Sequence, residues 1–339
     1  FGATSKASLT IAVTGLNDAP VAQAATNKAT EDASVTGQLV ATDVDAGAVL
    51  SYALDAPVAG LTINKDGSYT LDASNAAYQS LAAGATKAVV ASYTVTDDKG
   101  ATDTETLTIT VTGVNDAPVA QAASNKANED TSVTGQLAAA DVDTGAVLTY
   151  ALDAPVAGLT VNKDGSYTFN GGNAAYQSLA AGETKNVVAS FTVTDDKGAS
   201  DTETLTITVT GVNDAPVAQA GAFAVTEDTA IVSGQLVATD VDNNDVLTFA
   251  LDAPVPGLVV NADGSWTFNP GDAAYQELAE GEVAEVVASY TVTDKLGATS
   301  SATVTITLTG TNDLPVIVSP AVGTVDENLP ASAVVYTAK

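Results

Sequence analysis

The tetrapeptide Asn-Asp-Ala-Pro occurs three times in this chain, and a close variant, Asn-Asp-Leu-Pro, occurs once more. The four copies begin at Asn17, Asn115, Asn213 and Asn312, and are therefore 98, 98 and 99 residues apart. A fixed period of this kind indicates one folding unit copied in series, with a linker between successive copies. The four linkers divide the sequence before any secondary structure is considered.

The linkers predict three complete repeats, at residues 17–114, 115–212 and 213–311. Residues 1–16 are expected to be the last strand of a preceding repeat, and residues 312–339 the start of a following, truncated repeat. A unit of this length is large enough to bury its own hydrophobic core without disulfides.

The net charge restricts the partners that such a chain can have. Asp and Glu number 41 against 11 Lys and Arg, which gives a net charge of −30. Nucleic-acid binding needs a basic surface, so we expect no nucleic-acid partner. The chain has no apolar run long enough to span a bilayer, so we expect no membrane insertion of this segment. With no Cys and no His, an ordinary zinc site or an imidazole base is also excluded.

Within one repeat, apolar residues recur at every second position. Leu107, Ile109 and Val111 alternate with threonines, as expected for a strand with one buried face. About seven such short strands, separated by turn signals, predict an all-β chain of antiparallel β-sandwich domains of the immunoglobulin type. One short helical turn per domain is also predicted, because a good N-cap residue precedes each Ala-Ala-Tyr-Gln stretch. These caps are Asn75, Asn173 and Asp272.

Nearly all aromatic residues fall into columns that the repeats share, at positions expected to face the core. Tyr69, for example, aligns with Tyr167 and Trp266. Phe223 is an exception, because it is an aromatic residue unique to the third repeat. Few aromatics therefore remain for a surface that stacks on sugars.

Oxygen-bearing side chains recur at four places in each repeat: the linker Asn-Asp pair, a Glu-Asp pair that begins at Glu31, an Asp-Val-Asp sequence and a later Asp. Calcium takes about six to eight oxygen ligands, so a single Asp-Val-Asp is too little. A linker flanked by acidic loops of two domains would supply enough. Each residue alone is also consistent with a turn or cap on a solvated surface. Persistence through the copies favours the linker Asn-Asp pair, the Asp-Val-Asp sequence and the later Asp, whereas Asp103 and Asp201 give way to Ser300 and are interpreted as surface charge.

These residues carry a family resemblance. Ala41 to Asp45, Glu31, the segment Val95-Thr96-Asp97 and the Asn-Asp-Ala-Pro linker resemble cadherin-type repeats. The whole unit, with its Asp-Gly-Ser-Tyr-Thr and Ala-Ala-Tyr-Gln-Ser-Leu sequences, resembles the VCBS repeats of large bacterial surface adhesins of the RTX type. The resemblance implies a tandem array of cadherin-like sandwiches stiffened by Ca²⁺ at the linkers. It also implies a secreted, extracellular protein of the bacterial cell surface, with type I secretion as a candidate route and adhesion or biofilm formation as its role.

The resemblance also implies which residues bind calcium. For the junction of repeats one and two these are Glu31, Asn115, Asp116, Asp141, Asp143 and Asp195. For repeats two and three they are Glu129, Asn213, Asp214, Asp240, Asp242 and Asp294. Half of an upstream junction would come from Asn17, Asp18, Asp43, Asp45 and Asp97. Half of a downstream one would come from Glu227, Asn312 and Asp313.

Two departures leave the number of ions per junction open. Cadherin linkers carry a further ligand before the Asn-Asp pair, where this chain has Gly113-Val114. The cadherin Leu-Asp-x-Glu element has only a faint echo at Leu71-Asp72, and the later repeats have Asn170 and Asn269 instead.

Three functions remain to be compared. The first is a non-catalytic extender, a monomeric rod whose partners are calcium ions and neighbouring repeats, roughly 120 Å long at about 3.3 Å per strand residue. The second is a module that binds glycans or other copies of itself, for which Phe223 is the candidate contact. The third is a hydrolase using paired carboxylates, which serial duplication of the same pair argues against.

Overall fold

The computed structural model describes residues 2–314 of the chain. Within that range the regular secondary structure is entirely β, as predicted. Residues 2–314 contain no helix of the length and apolarity that crossing a bilayer requires. The predicted repeat at 312–339 lies almost wholly outside the described residues.

Each repeat contributes nine strand segments. In the first repeat they are β1 (Val21–Ala22), β2 (Ala25–Thr30), β3 (Ser34–Gln38), β4 (Ala41–Thr42), β5 (Ser51–Leu54), β6 (Leu61–Ile63), β7 (Ser68–Asp72), β8 (Thr86–Thr96) and β9 (Thr102–Thr112). In the second they are β10 (Val119–Gln121), β11 (Ala123–Asn128), β12 (Ser132–Gln136), β13 (Ala138–Ala140), β14 (Thr149–Leu152), β15 (Leu159–Val161), β16 (Ser166–Asn170), β17 (Thr184–Thr194) and β18 (Ser200–Thr210). In the third they are β19 (Val217–Ala218), β20 (Gly221–Thr226), β21 (Val232–Gln235), β22 (Ala238–Thr239), β23 (Thr248–Leu251), β24 (Leu258–Val260), β25 (Ser265–Phe268), β26 (Val283–Thr293) and β27 (Thr299–Thr309).

The strand order is the same in all three repeats. In the first, one sheet has the order β2-β9-β8-β5, a second has the order β3-β7-β6, and β1 pairs with β4. Counting β1 with β2 and β3 with β4 as interrupted halves of single strands gives seven, as the alternation predicts. One pair departs from the expected antiparallel pattern, because β2 runs parallel to β9.

The core lies between the two sheets. Leu107, Ile109 and Val111 of β9 are almost fully buried, which confirms the predicted inward face of this strand. All of the shared aromatic columns are buried as well. Tyr78 is only 2 % exposed, and its hydroxyl donates a hydrogen bond to the carbonyl oxygen of Ala59 at 2.6 Å.

The predicted helical turn is wrong in detail. The Asn75 carbonyl accepts a hydrogen bond from the Tyr78 N–H at 2.9 Å, and the Tyr78 carbonyl accepts one from the Leu81 N–H at 3.1 Å. Each is a bond between residues three apart, and the second begins where the first ends, so the segment is two consecutive turns. Asn75 still caps the first of them, because its Oδ1 accepts the Ala77 N–H at 3.1 Å.

Residues 2–20 contain no strand. Leu9, Ile11 and Val13 are between 74 and 89 % exposed. A strand needs a neighbour to supply its hydrogen bonds. The assignment of 1–16 to a preceding repeat therefore stays a prediction.

The described residues group into two compact units. The first contains repeat one, the first internal linker and most of repeat two, up to residue 208. The second contains residues 128–131 and 171–185 together with everything described from residue 209 onward. The predicted ligands of each internal linker all fall within a single unit, so each site can be described by itself.

Candidate metal centres at the linkers

The first candidate site begins at the end of β2, where Glu31 turns back toward the linker. The next residue, Asp32, adopts a left-handed backbone conformation with φ of +61°, which reverses the chain before β3. The Glu31 carboxylate Oε2 accepts the Val114 N–H at 3.0 Å. Glu31 is only 2 % exposed, so an acidic group of repeat one is buried against the linker.

Two aspartates approach Glu31 from the linker and from repeat two. The Asp143 N–H donates to Oδ1 of Asp141 at 2.9 Å, so the Asp-Val-Asp sequence forms a tight turn capped by its own first carboxylate. Oδ2 of Asp143 then accepts the N–H of the linker residue Asp116 at 3.1 Å. As a result, one carboxylate oxygen from each of Glu31, Asp116 and Asp143 lies within 4.8 Å of the others.

Several oxygens of this cluster are buried without a hydrogen-bond donor. They are Oε1 of Glu31, Oδ2 of Asp116, Oδ2 of Asp141 and Oδ1 of Asp143. An enclosed oxygen without a donor is costly, and the carboxylates of Glu31, Asp116 and Asp143, which approach one another within 4.8 Å, repel one another. A hard divalent cation such as Ca²⁺ binds carboxylate oxygens and would replace this repulsion with attraction. The donor set therefore fits this ion.

The second linker repeats the arrangement. Oε2 of Glu129 accepts the Val212 N–H at 3.0 Å, and Oδ2 of Asp242 accepts the Asp214 N–H at 3.0 Å. Glu129, Asp214 and Asp242 each place an oxygen within 4.8 Å of the others. The buried oxygens without a donor are Oε1 of Glu129, Oδ1 of Asn213, Oδ2 of Asp214, Oδ2 of Asp240 and Oδ1 of Asp242.

The remaining predicted ligands lie beside these clusters. Asn115 donates from Nδ2 to Oδ2 of Asp195 at 2.7 Å, and Oδ1 of Asp195 accepts the N–H groups of Lys197 and Ala199 at 2.8 and 3.0 Å. Both Asp195 oxygens therefore have donors already. In this geometry Asp195 orients the linker asparagine. Asn213 and Asp294 form the same bond at 2.6 Å.

The predicted upstream half-site has the same internal geometry. Asn17 donates to Asp97 at 2.8 Å, the Asp18 N–H donates to Asp45 at 2.9 Å, and the Asp45 N–H donates to Asp43 at 2.8 Å. Among residues 2–314, none of these five residues belongs to a group of three converging acids.

In the predicted downstream half-site, Glu227 accepts hydrogen bonds at both carboxylate oxygens. Gln276 Nε2 donates to Oε1 at 3.3 Å and the Thr311 N–H donates to Oε2 at 3.1 Å. Asn312 and Asp313 are exposed. Neither half-site on its own brings three acids together within the described part of the chain.

Two acidic residues have roles that the sequence did not predict. Asp32 is exposed, yet its charge helps to raise the pKa of both Glu31 and Asp116. Its recurrence beside each glutamate was the available signal. The interpretation of Asp103 as surface charge alone is wrong, because its Oδ2 accepts the Ala22 N–H of strand β1 at 2.8 Å. In repeat three, Oγ of Ser300 takes over this bond.

Several acids of the clusters, among them Glu31, Asp116 and Glu129, are harder to ionise than free carboxyl groups. Burial raises the pKa of Glu31 above its ordinary 4.5, and the negative charges of Asp116 and Asp32 raise it further. Burial likewise raises the pKa of Asp116 and of Glu129, and nearby acids add to both shifts. In contrast, the hydrogen bond from Asn115 lowers the pKa of Asp195 below 3.8. Without a cation, the clusters are electrostatically unfavourable at neutral pH.

Metal-free protein is therefore expected to become more stable as the pH falls from 7 toward about 4.5. A carboxyl whose pKa is higher in the folded state gives the folded chain the greater proton affinity, so its destabilising effect is largest at neutral pH and fades on acidification. Groups whose pKa is lowered in the folded state, such as Asp195, stabilise the folded chain at higher pH and lose this stabilising effect only below about pH 3.8. Thermal melts of metal-stripped protein between pH 3 and 8 measure this. A midpoint that falls steadily from pH 7 to pH 5 contradicts the expectation, and the Glu31→Gln/Glu129→Gln variant should show a flatter profile.

A β-sandwich of this strand order, repeated in tandem with acids clustered at each internal linker, defines a cadherin-like repeat protein. The family profile of the bacterial cadherin-like domain matches residues 17–113, 115–211 and 213–310. The chain belongs to this family. No curated protein sequence matches it.

Solved cadherin structures share the fold. Mouse cadherin-23 EC22-24 aligns with a TM-score of 0.54 and 16 % identity, covering 88 % of this chain and 100 % of that one. Human CDH23 EC21-23 aligns with a TM-score of 0.56 and 16 % identity, covering 85 % and 100 %. Protocadherin gamma B2 domains 1-5 give a TM-score of 0.59 at 17 % identity, covering 89 % and 62 %. At this identity, the similarity establishes the fold alone.

Proposed function

We propose that this chain is a non-catalytic, calcium-binding extender segment of a large secreted adhesin on a bacterial cell surface. The observation that carries the proposal is the cluster of Glu31, Asp116 and Asp143. Its three acids come from repeat one, from the linker and from repeat two, and their oxygens lie within 4.8 Å of one another. An ion held there has ligands on both sides of the joint.

The electrostatics favour a structural role for that ion. Like charges a few ångströms apart in a partly buried site repel by roughly 4 kcal/mol per pair at an effective dielectric constant of about 20. This repulsion opposes close approach of the two repeats when no cation is present. A divalent cation replaces it with attraction, so ion binding and stiffening of the joint are coupled.

The wider setting rests on the family and on the sequence resemblance. Membership of the bacterial cadherin-like family supports an adhesion-related role. The resemblance of the whole unit to VCBS repeats of RTX-type adhesins supports secretion to the cell surface, with a type I system as the candidate route. In such a protein, this segment would hold distance between an anchored end and a binding end during adhesion or biofilm formation.

The competing functions have less support. Phe223, the candidate glycan contact, stacks on Trp266 with 4.2 Å between ring centroids and is partly buried in the core of repeat three. It occupies the place where Asn27 hydrogen-bonds to Tyr69 in repeat one. This packing gives a sufficient reason for an aromatic residue there. The same acidic cluster at both internal linkers also fits a repeated joint better than a single active site.

Small-angle scattering with calcium and after metal removal tests the proposal. With calcium, the maximum dimension should approach the roughly 120 Å that three sandwiches of about 40 Å give end to end. Without calcium, the distribution of distances should broaden and shift to shorter values. The Glu31→Gln/Glu129→Gln variant, measured in calcium, should resemble the metal-free wild type. Identical curves for wild type in both conditions would rule out the stiffening role.

A further inference from the structure

Repeats one and two also meet through neutral groups that bind no cation. Ser80 lies in the two consecutive turns of residues 75–81, which we call the double turn. Its carbonyl oxygen accepts two hydrogen bonds from Thr144 of repeat two, one from the N–H at 3.2 Å and one from Oγ1 at 2.7 Å. None of these atoms belongs to the acidic cluster at this linker. The contact therefore joins the two repeats without any metal ligand.

The second linker has the same contact with one hydrogen bond fewer. The Asn243 N–H donates to the Ser178 carbonyl oxygen, in the double turn of repeat two, at 3.1 Å. Within residues 2–314, no side-chain hydrogen bond joins Asn243 to Ser178. Thr144 and Asn243 both follow the last residue of an Asp-Val-Asp sequence, and repeat one has Ala46 at this position. The residue at this one position thus determines how many hydrogen bonds the contact contains.

Packing across the two linkers differs in the same direction. At the first linker, the cavity between Ala83 and the loop of Thr144 has a volume of about 50 Å³. At the second linker, the corresponding cavity between Ala181 and the loop of Asn243 has a volume of about 290 Å³. Atoms that face an open gap lose van der Waals attraction on that side. The first joint is therefore closed by both better hydrogen bonding and closer packing.

A threonine after Asp-Val-Asp is also consistent with an ordinary turn residue. In that case, its hydroxyl would bond within its own loop or to solvent. The Thr144 hydroxyl instead reaches an acceptor 64 positions earlier, in the preceding repeat. A hydrogen bond between neutral groups needs no counter-ion, and one of typical net strength shifts an equilibrium by roughly two- to tenfold.

We propose that the loop after each Asp-Val-Asp sequence is a contact surface for the double turn of the preceding repeat, and that it holds the joint closed independently of cations. One residue grades the strength of this contact, which is stronger with Thr144 than with Asn243. The inference rests on the proposed function in treating the linkers as joints, and it adds a second source of stiffness to them. After metal removal, the ratio of closed to open joints should be roughly two- to tenfold higher at the first linker than at the second.

Distances between spin labels in the full chain test this proposal. The chain has no cysteine, so introduced cysteines are the only labelling sites. Val90, Val188 and Val287 occupy equivalent positions of the three repeats and are 59, 60 and 56 % exposed. Val90→Cys/Val188→Cys reports on the first joint, and Val188→Cys/Val287→Cys reports on the second. Double electron–electron resonance gives the distance distribution of each pair, in excess chelator and in calcium.

In chelator, the distribution across the first joint should be narrower than that across the second. Thr144→Val should broaden it, lowering the ratio of closed to open joints roughly two- to tenfold, because the hydroxyl is lost and the β-branched shape is kept. Asn243→Thr should narrow the distribution across the second joint. Thr160→Val removes an exposed hydroxyl from strand β15 of the same repeat and should leave the first joint unchanged.

The outcomes separate this inference from the function on which it rests. Equal widths at the two joints in chelator, or a first joint that does not respond to Thr144→Val, would overturn the proposed contact and leave calcium stiffening intact. If calcium narrows neither distribution, stiffening by calcium fails. The comparison of Thr144→Val with the wild type in chelator still decides whether the contact holds the joint.

Discussion

Replacing Glu31 with glutamine is expected to destabilise the calcium-loaded protein and to stabilise the metal-free protein. Glutamine keeps the oxygen that accepts the Val114 N–H, so the local backbone is preserved. It removes a buried negative charge whose Oε1 has no donor. Without calcium, the removal relieves repulsion with Asp116. With calcium, it removes a ligand.

The size of the effect follows from ligand linkage. At a free calcium concentration about 100-fold above Kd, one bound ion stabilises the folded state by about 2.7 kcal/mol. Most of this is lost if the substitution weakens binding by about two orders of magnitude. Differential scanning calorimetry with and without calcium measures both the expected loss of stability in calcium and the expected gain without it. Glu105→Gln is the control, because it removes a charge from β9, away from the cluster. The stabilisation of this variant by calcium should equal that of the wild type. Equal shifts of Glu31→Gln in both conditions would contradict the assignment of Glu31 as a ligand.

Replacing Gly113 with alanine is expected to cost about 3 kcal/mol or more in the stability of repeat one. An added Cβ would lie 2.3 Å from the Leu81 carbonyl oxygen and 2.4 Å from that of Ala82. Both are backbone atoms at the end of the double turn or just after it, and the chain that follows is bonded to the linker, because the Gly84 N–H donates to the Gly113 carbonyl at 3.0 Å. The clash therefore forces the turn or the linker to move.

Urea unfolding of the wild type and of Gly113→Ala measures this cost. Gly15→Ala is the matched control, because nothing lies within 4 Å of an added Cβ at that position. A change below about 0.5 kcal/mol in Gly113→Ala, similar to that of an ordinary surface substitution, would show that the turn yields easily.

The close approach at Gly113 also explains a departure from the cadherin pattern. Cadherin linkers carry a further ligand at this position, whereas here backbone carbonyls fill the space that its side chain would need. Glycine is required because the double turn packs directly onto the linker. The geometry of this turn therefore limits which side chains the candidate metal site beside it can contain.

Long strands and the aromatic core were predictable because they depend on local alternation. The alternation of Leu107, Ile109 and Val111 with threonine specifies one buried face wherever the partner strand lies. Strands β1 and β4 have two residues each, too few for a period to be visible. The parallel pairing of β2 with β9 could not be predicted either. The chain pairs with β4 through β1 and then crosses to the other sheet, and no local pattern specifies that β2 joins the edge formed by β9. Asn75 has the cap that is typical of a helix start, which is why a helical turn was predicted. The two backbone hydrogen bonds that follow join residues 75 to 78 and 78 to 81, end to end, whereas the hydrogen bonds of a helix overlap.

The candidate site was predictable in its residues and unpredictable in its geometry. Persistence through the copies singles out Asp116 and Asp143, and the resemblance to cadherin-type repeats adds Glu31. The bond between Glu31 and the Val114 N–H joins residues 83 positions apart, and no local pattern specifies which oxygen it leaves without a donor. Asp245, one oxygen of which lies within 4.8 Å of oxygens of Asp240 and Asp242, was not predicted, because it occurs in one repeat only and a comparison of the repeats cannot reveal it.

The position of Glu31 has a consequence for how such a chain can be divided. Folding repeats begin at the linkers, so a cut there leaves each sandwich whole. The first candidate cation site does not follow these boundaries, since it runs from Glu31 in one sandwich to Asp143 in the next. Excising one sandwich at its linkers would therefore separate the acids of this site. Under the proposed function, the smallest piece able to bind the ion is two neighbouring repeats with the linker between them.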